Sequence, residues 1–488
     1  MLFNSYGYVF LFLPVVLAVY FLLSRRRLTI GSKAWLLFGS LVFYGWWNPV
    51  YLPLIVGSIV FNFVIGKAIL GQREKARFSS GRSLLVIGVL GNLALLGYFK
   101  YADFFISNIN AVGHVTLPLL RVILPLGISF FTFTQIAFLV DTEKGKVKEY
   151  NALNYGLFVT FFPHLLAGPI IHHAEMMPQF DRLRNKVVDY RNVASGICLF
   201  FIGLFKKLVI ADTFAVWATN GFDTLNQLTV IQAWVASLSY TLQLYYDFSG
   251  YTDMALGSSL MFNIKLPINF NTPYRSLDIQ EFWRRWHITL SRFMRDYVYI
   301  PLGGNRVAEW HILLNLMITF FVVGLWHGAG WTFVLWGCMH GAALVIHRLW
   351  KRSGFSMPSW IAWFLTFNFI NIGWVFFRAK TFGDALRVLG GMVGIDAAPL
   401  PKGVWTQLWH AGSFITALDN LFGALGNNSK AILCMLIIFL PLSIFFKNSN
   451  EVAEGFRPNV TQLILFVLVA WLSVLFLGTY SEFLYFRF

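Results

Sequence analysis

The chain has 488 residues, of which 57% are hydrophobic and only 12% are charged. Soluble globular domains carry about 25% charged residues, so the composition excludes an ordinary soluble protein and predicts one integral membrane domain over residues 1–488. The net charge of +16 does not predict nucleic-acid binding, because Lys and Arg lie in short clusters between apolar runs, as in cytoplasmic loops.

The first apolar run, at residues 6–23, has no basic stretch before it and no small-residue cleavage site after it. It therefore predicts a retained first span rather than a removed signal peptide. Basic clusters follow this run, at residues 25–33, and the next hairpin, at residues 73–82. If both clusters are cytoplasmic, the amino terminus faces the opposite side of the membrane.

The remaining apolar runs predict an all-α polytopic membrane protein with roughly eleven transmembrane helices. These runs cover residues 35–47, 52–70, 84–98, 119–140, 195–211, 230–246, 312–326, 332–349, 360–377, 431–446 and 462–478. The runs at 312–326 and 332–349 are each a little short of the length needed to cross. The longest polar region, at residues 378–430, is predicted to lie outside the membrane.

Residues 151–173 have basic flanks on both sides, so a single crossing would place one flank on the wrong side. A re-entrant segment removes this conflict, and Pro163 and Pro169 supply the breaks that it needs. A tilted helix with a proline kink is the alternative. Lys206 and Lys207, near the end of the run at 195–211, fit poorly with an exit on the outer side.

Asp247 and Asp253 end the strongly apolar run at 230–246, and we expect them either to cap a helix or to line a polar opening. The loop at residues 263–273 contains two prolines and three asparagines and cannot be helical throughout. The sequence thus predicts a helix that ends near Asp247, followed by an irregular connection.

Residues 282–299 place aromatic and aliphatic side chains at three- and four-residue spacings, with arginines elsewhere. This spacing predicts an amphipathic helix that lies along a membrane surface. His287 follows Trp286 at the border of its two faces.

Two histidines, His287 and His327, lie among tryptophans in an otherwise oily chain. Polar groups at membrane depth are costly, which makes both histidines candidate site residues, although Trp-His neighbours also occur where a helix meets the headgroups. The glycines beside His327 predict that its imidazole is held at a helix end, where a ligand can approach the backbone. The chain has no H-E-x-x-H motif and no paired cysteines, so we expect no metal site.

Five stretches resemble the membrane-bound O-acyltransferase family. They are FFPHLLAGPI (161–170), LFKKLVIAD (204–212), LYYDFSGYTDMALG (244–257), NFNTPYRSLDIQEFWRRWHITLSRFMRDYVYIPLGGNR (269–306) and GLWHGAGWTFVLWGCMHG (324–341). Within this family the chain resembles the bacterial branch that acetylates exported polysaccharides, typified by the membrane component of alginate O-acetylation. The aromatic carboxyl end, FLYFRF, is also similar to that branch.

The resemblance implies re-entrant and interfacial helices around a central funnel in the bacterial inner membrane, with the amino terminus in the periplasm. It implies that His327, in the WHG motif, is the catalytic histidine and that His287, in the RRWH motif, is the second. Four further residues are expected on the donor side, and the two arginines among them either attract the donor's phosphates or contact headgroups: Asp247, Trp326, Arg284 and Arg285.

The resemblance further implies acetyl-CoA as the acyl donor, with no permanently bound cofactor, and transfer of the acetyl group toward the periplasm. A periplasmic esterase-like acetyltransferase is the expected partner, and a polysaccharide such as alginate is the expected acceptor, directly or through that partner. Peptidoglycan, cellulose and teichoic acid are alternative acceptors on the same fold. A channel or flippase for a lipid-linked sugar is the alternative from another functional class.

Overall fold

The computed structural model describes residues 1–75, 78–147, 150–395, 397–400, 429–455, 459–478 and 483–484, with residues 416, 419, 420, 423, 425 and 426 between the longer ranges. Helices connected by turns and irregular segments make up these described residues, and none of them forms a strand. The prediction of an all-α polytopic membrane protein is therefore confirmed.

Eight helices within the described ranges are long and apolar enough to cross a membrane. They are Gly7–Arg25, Pro49–Glu74, Gly81–Gly113, Tyr190–Thr224, Glu309–His327, Trp331–Ser353, Ser359–Arg378 and Val460–Gly478. The count of roughly eleven stays a prediction. The expectation that the runs at 312–326 and 332–349 are short was wrong, because their helices contain 19 and 23 residues.

The chain divides into two compact units, and unit 1 contains residues 1–204, 251–268 and 453–480. Its longer helices before residue 190 are Leu13–Arg25, Thr29–Gly45, Leu52–Glu74, Phe78–Leu96, Ala102–Gly113, Ile128–Glu143, Ala152–Thr160 and His173–Asp181. The run at 119–140 was predicted to be one helix, but the helix begins only at Ile128. Pro125 lies inside the predicted run, where a proline interrupts a helix that begins at residue 119.

The segment at 151–173 is broken, as its prolines predict. Ala152–Thr160 is followed by the four-residue helix Phe162–Leu165, and Pro163 stands at the start of that second helix. Residues 155–171 are buried throughout. Neither helix has the ~20 residues needed to cross a membrane, which excludes a single kinked spanning helix here. The proposed entry and exit on one face stay a prediction.

Unit 2 contains residues 205–250, 269–452 and 481–488. Its principal helices after residue 269 are Ile279–Arg285, Ile288–Met294, Glu309–His327, Trp331–Ser353, Ser359–Arg378, Phe382–Val393 and Ser429–Phe445. The helix Phe382–Val393 occupies part of the polar region at 378–430, with Ala385 and Val388 buried. Residues 401–415, in the same region, lie outside the described residues.

Two helix ends were predicted wrongly. The run containing Lys206 and Lys207 does not end there, because the helical segment continues to Thr224 through a π-helical turn at Lys206–Ala211. The helix that starts at Val230 does not end at Asp247, because it continues to Met261 over 32 residues. Asp247 and Asp253 are therefore not caps of a helix end, and a role of either residue in lining a polar opening stays a prediction.

The predicted surface helix at 282–299 is two short helices, Ile279–Arg285 and Ile288–Met294, with His287 between them. Its expected apolar face is confirmed, since Trp283, Trp286 and Leu290 are buried. The loop at 263–273 is irregular up to a single 3₁₀ turn at Pro273–Arg275, as its prolines predict.

The hairpin of Glu309–His327 and Trp331–Ser353, called the WHG hairpin below, depends on a pair of glycines. A Cβ on Gly337 would lie 2.4 Å from the Phe320 carbonyl oxygen, and a Cβ on Gly324 would lie 2.5 Å from the Phe333 carbonyl oxygen. Because glycine has no side chain, the two helices can approach each other closely at these positions. This packing positions the end of the first helix, where His327 lies.

Candidate active site

His327 is the last residue of the helix Glu309–His327 and is only 3% exposed, so the prediction of an imidazole at a helix end is confirmed. Three aromatic rings surround the imidazole. The ring centroids of Trp326, Trp336 and Phe377 lie 4.9, 5.1 and 5.1 Å from that of His327, all at steep interplanar angles. The ring is therefore held by packing from three sides.

The glycine that follows His327 does not leave its backbone open to a ligand. Gly328 has an extended backbone, and a Cβ built there would lie 2.3 Å from the Phe333 ring. At Gly328 the expected approach of a ligand is wrong, because Phe333 occupies the space, whereas at Gly330, where a Cβ would lie 3.5 Å from the Phe333 ring, it stays a prediction. Gly328 instead lets the turn pack against the start of the next helix.

His287 lies at a sharp corner between two short helices and is fully buried. Its φ of 42° is in the left-handed region, where a residue with a Cβ is strained by roughly 1–2 kcal/mol. The Nδ1 atom lies 3.3 Å from Asn269 Oδ1, and the ring packs edge-on against Phe248 at 4.8 Å. Burial lowers the pKa of His287 to about 3, because a charged imidazole loses its hydration there.

Trp326 connects the two histidines. Its ring centroid lies 6.0 Å from that of His287 and 4.9 Å from that of His327. The two residues are 40 positions apart in the sequence, and the fold places them against the same indole. The structure thus brings together the two histidines and one of the four donor-side residues of the sequence analysis.

Asp247 does not have a free carboxylate. Lys207 Nζ lies 2.6 Å from Asp247 Oδ1, and the Leu484 amide donates to Asp247 Oδ2 at 3.0 Å. Lys207 also binds Asp212 at 2.8 Å. Because Asp247 precedes Phe248, which packs on His287, this buried ion pair anchors the helix beside that histidine. A direct role of Asp247 toward a donor stays a prediction.

Arg284 and Arg285 occupy different environments. Arg285 Nη2 lies 2.8 Å from Glu281 Oε1, and its Nη1 donates to the Asn271 carbonyl at 3.1 Å. Arg284 is exposed. Of the two, only Arg284 has a side chain turned to the surface, and the proposed attraction of donor phosphates by either arginine stays a prediction.

Asn269 is a site residue that the sequence analysis missed. It lies in the non-helical loop and opens the stretch 269–306 of the family resemblance, but nothing in the local pattern links it to a histidine 18 positions away. Lys207 and Trp336 lie in two other stretches of that resemblance, and Phe377 lies outside all five. A place inside such a stretch was the available signal for Asn269, Lys207 and Trp336.

Comparison with known proteins identifies relatives over the whole chain. The family model described as MBOAT, membrane-bound O-acyltransferase family, matches residues 87–382. A peptidoglycan O-acetyltransferase of Helicobacter pylori is 46% identical over 100% of this chain and 98% of its own length.

Relatives with lower sequence identity have other names. A probable alginate O-acetylase of Pseudomonas aeruginosa is 41% identical over 80% of this chain and 75% of its own length. A teichoic acid D-alanyltransferase of Bacillus subtilis is 29% identical over 53% of this chain and 69% of its own length. The three names describe O-acetylation of peptidoglycan, O-acetylation of alginate and transfer of D-alanyl groups to teichoic acid.

Proposed function

Because this chain belongs to the membrane-bound O-acyltransferase family and is an O-acyltransferase enzyme of a membrane, we propose that it acetylates a hydroxyl of an exported cell-surface polysaccharide. The observation that supports this is the placement of two buried histidines against one indole, Trp326. Imidazoles within reach of one reacting group suit general acid-base catalysis.

The proposed donor is acetyl-CoA, and His327 is the proposed general base. The acceptor oxygen attacks the thioester carbonyl carbon, a C–O bond forms, and the C–S bond breaks with its electron pair going to sulfur. The hydroxyl proton moves to His327 and from there to the departing sulfur, which leaves as the CoA thiol. A histidine suits both steps, because an unperturbed pKa of about 6.5 lets the neutral imidazole accept the proton and the imidazolium donate it near neutral pH.

The route of the acetyl group is part of the proposal. The donor enters from the cytoplasm of a bacterial inner membrane, and the acetyl group leaves toward the periplasm, either onto the polysaccharide or onto a periplasmic esterase-like partner. His287 and Asp247 support the donor side in this scheme, and Arg284 attracts the donor's phosphates. Both histidines are buried, so the scheme requires a path for donor and acceptor to reach Trp326.

Peptidoglycan is the acceptor to test first, because the peptidoglycan O-acetyltransferase of Helicobacter pylori matches this chain at 46% identity from end to end. Alginate is the second, because the probable alginate O-acetylase of Pseudomonas aeruginosa matches at 41% over most of the chain. Both acceptors offer sugar hydroxyls, so the same chemistry serves either one.

The test uses the purified full-length protein in liposomes with radiolabelled acetyl-CoA, and it measures both CoA thiol release and label on peptidoglycan or alginate fragments. We expect transfer by the parent protein and a loss of about 10²- to 10⁴-fold in His327→Ala. The matched control is His311→Ala, because His311 is an exposed histidine on the same helix.

Two results would contradict the proposal. One is full acetyl transfer by His327→Ala at parental protein levels, with His311→Ala unchanged. The other is a parent protein that releases no CoA thiol and exchanges no label with acetyl-CoA, but moves a lipid-linked sugar across liposomes, as a flippase would.

A further inference from the structure

We propose that Asn269 is a positioning residue that sets the tautomer and the orientation of the His287 ring. The inference rests on the proposed acetyl transfer, in which His287 acts beside His327. Asn269 is 1% exposed and precedes His287 by 18 positions. It lies in the irregular loop that packs against the corner between the two short helices.

The contacts of Asn269 identify which amide atom faces the ring. The backbone N–H of Thr289 donates to Asn269 Oδ1 at 3.2 Å, and the Thr289 hydroxyl donates to the same atom at 2.7 Å. A backbone N–H can only donate, so the atom that receives it is the amide oxygen. A flipped side chain would lose the bond from the backbone N–H of Thr289, because its NH2 group cannot accept that hydrogen.

The amide oxygen in turn determines where the His287 ring carries its hydrogen. Asn269 Oδ1 lies 3.3 Å from His287 Nδ1, and a carbonyl oxygen accepts but does not donate. Nδ1 therefore carries the hydrogen in the neutral ring, and Nε2 keeps the lone pair. Nε2 is then the nitrogen able to accept a proton from a substrate group.

The backbone of Asn269 supports the same corner. The Ile288 N–H donates to the Asn269 carbonyl at 3.0 Å, directly after the left-handed backbone of His287. Strained backbone of this kind persists only where the surrounding structure holds it, and it clusters at functional sites. One residue thus holds both the backbone and the side chain of His287.

The amide nitrogen of Asn269 has a different environment from the amide oxygen. Asn269 Nδ2 is buried and has no hydrogen-bond acceptor among the residues that the structure describes. Buried polar groups are almost always bonded, and an exception requires an explanation.

Charged groups around His287 bear on its titration. Those on its own and neighbouring elements are Asp247 with Lys207, Glu281 with Arg285, Arg284, Arg292 and His327. Asp247 with Lys207 and Glu281 with Arg285 form two ion pairs of opposite charge. A new carboxylate at position 269 would therefore be the main change in the field at His287.

The test compares Asn269→Ala, Asn269→Asp and a matched control, Asn371→Asp, in the full-length protein with radiolabelled acetyl-CoA as the probe. Asn371 is also a fully buried asparagine, but its Oδ1 accepts from Ser237 and Thr241, at 3.0 and 2.7 Å. The readouts are kcat, KM and the dependence of kcat on pH.

For Asn269→Ala we expect kcat to fall about 10- to 100-fold with little change in KM, because the ring loses its orientation but not its substrate. For Asn269→Asp the carboxylate favours the protonated imidazole, so the acid limb of the pH profile should move up by about one to three pH units. Asn371→Asp should leave that limb in place.

If Asn269→Asp accumulates poorly, Thr289→Val replaces it, since valine keeps the shape and removes the hydroxyl that donates to Oδ1. Its kcat should fall about 3- to 10-fold, because one neutral hydrogen bond contributes about 1 kcal/mol. Parental kcat and an unshifted pH profile in the Asn269 variants, or the same shift in Asn371→Asp, would overturn the inference. If the parent itself transfers no acetyl group, the proposed function fails; if only the Asn269 variants behave as parent, this inference alone fails.

Discussion

The two histidines of the site are held in different ways. His287 sits at a strained corner where an amide oxygen faces its ring nitrogen and a loop carbonyl binds the next backbone N–H. His327 sits at the end of a regular helix with three aromatic rings around its imidazole. Trp326 belongs to both environments.

The two kinds of contact control different properties of the imidazole rings. A hydrogen-bonded partner selects a tautomer and an orientation, whereas ring packing restricts position and excludes water without selecting a nitrogen. The corner at His287 therefore depends on polar and ionic partners, and the WHG hairpin around His327 depends on close packing. Variants that disturb one kind of support should affect the corresponding histidine first.

We expect the strongest effect from loss of the ion pair between Lys207 and Asp247, which anchors the helix beside His287. Lys207→Ala leaves the Asp247 carboxylate buried without its lysine, which should lower the free energy of unfolding by about 3–5 kcal/mol. The double variant Lys207→Met with Asp247→Asn removes both charges and should recover most of that loss. Thermal unfolding in detergent measures both, and equal stability of the single variant and the parent would show that the pair anchors nothing.

The next effect concerns the ring that both histidines share. Trp326→Ala should reduce acetyl transfer by at least about 100-fold, because displacement of a catalytic group by about 1 Å has effects of that size. Trp326→Phe keeps an aromatic ring in place and should lose about tenfold or less. The comparison uses kcat on radiolabelled acetyl-CoA, and similar rates in both variants would mean that the indole does not position the two rings.

A smaller effect concerns the packing of the WHG hairpin alone. In Gly337→Ala the new methyl group would lie 2.4 Å from the Phe320 carbonyl oxygen, so the helices must separate, at a cost of about 1–3 kcal/mol. Gly57→Ala is the control, since no atom lies within 4 Å of its Cβ position and alanine favours a helix. A melting temperature that falls in both variants would contradict the assignment of tight packing to Gly337.

The smallest effect concerns the dependence of stability on pH through His287. The folded pKa of His287, about 3, lies below its unfolded value, so the unfolded state binds the proton more readily and stability falls as the pH drops from about 6.5 toward 3. Above pH 6.5 this contribution is absent. His287→Gln should therefore lose less of its melting temperature than the parent between pH 7 and pH 4.5. An equal loss in both proteins would show that another group causes the acid sensitivity.

Local patterns predicted a large part of this structure. Three- and four-residue spacing identified the buried face with Trp283, Trp286 and Leu290, and prolines identified the break near Pro163. The same patterns failed at Asp247, where an acidic residue in an apolar run suggested a helix end. The helix continues because Lys207, 40 residues away, neutralises the charge inside the protein.

Hydropathy, helical periodicity and short motifs predicted the class of fold and the family and indicated two candidate histidines, since these signals are properties of neighbouring residues. The packing of helices and loops determines which groups meet: Asn269 with His287, Lys207 with Asp247, and Trp326 with both histidines. Those contacts join residues on different helices and loops, and their distances depend on how helices pack, which no local spacing encodes.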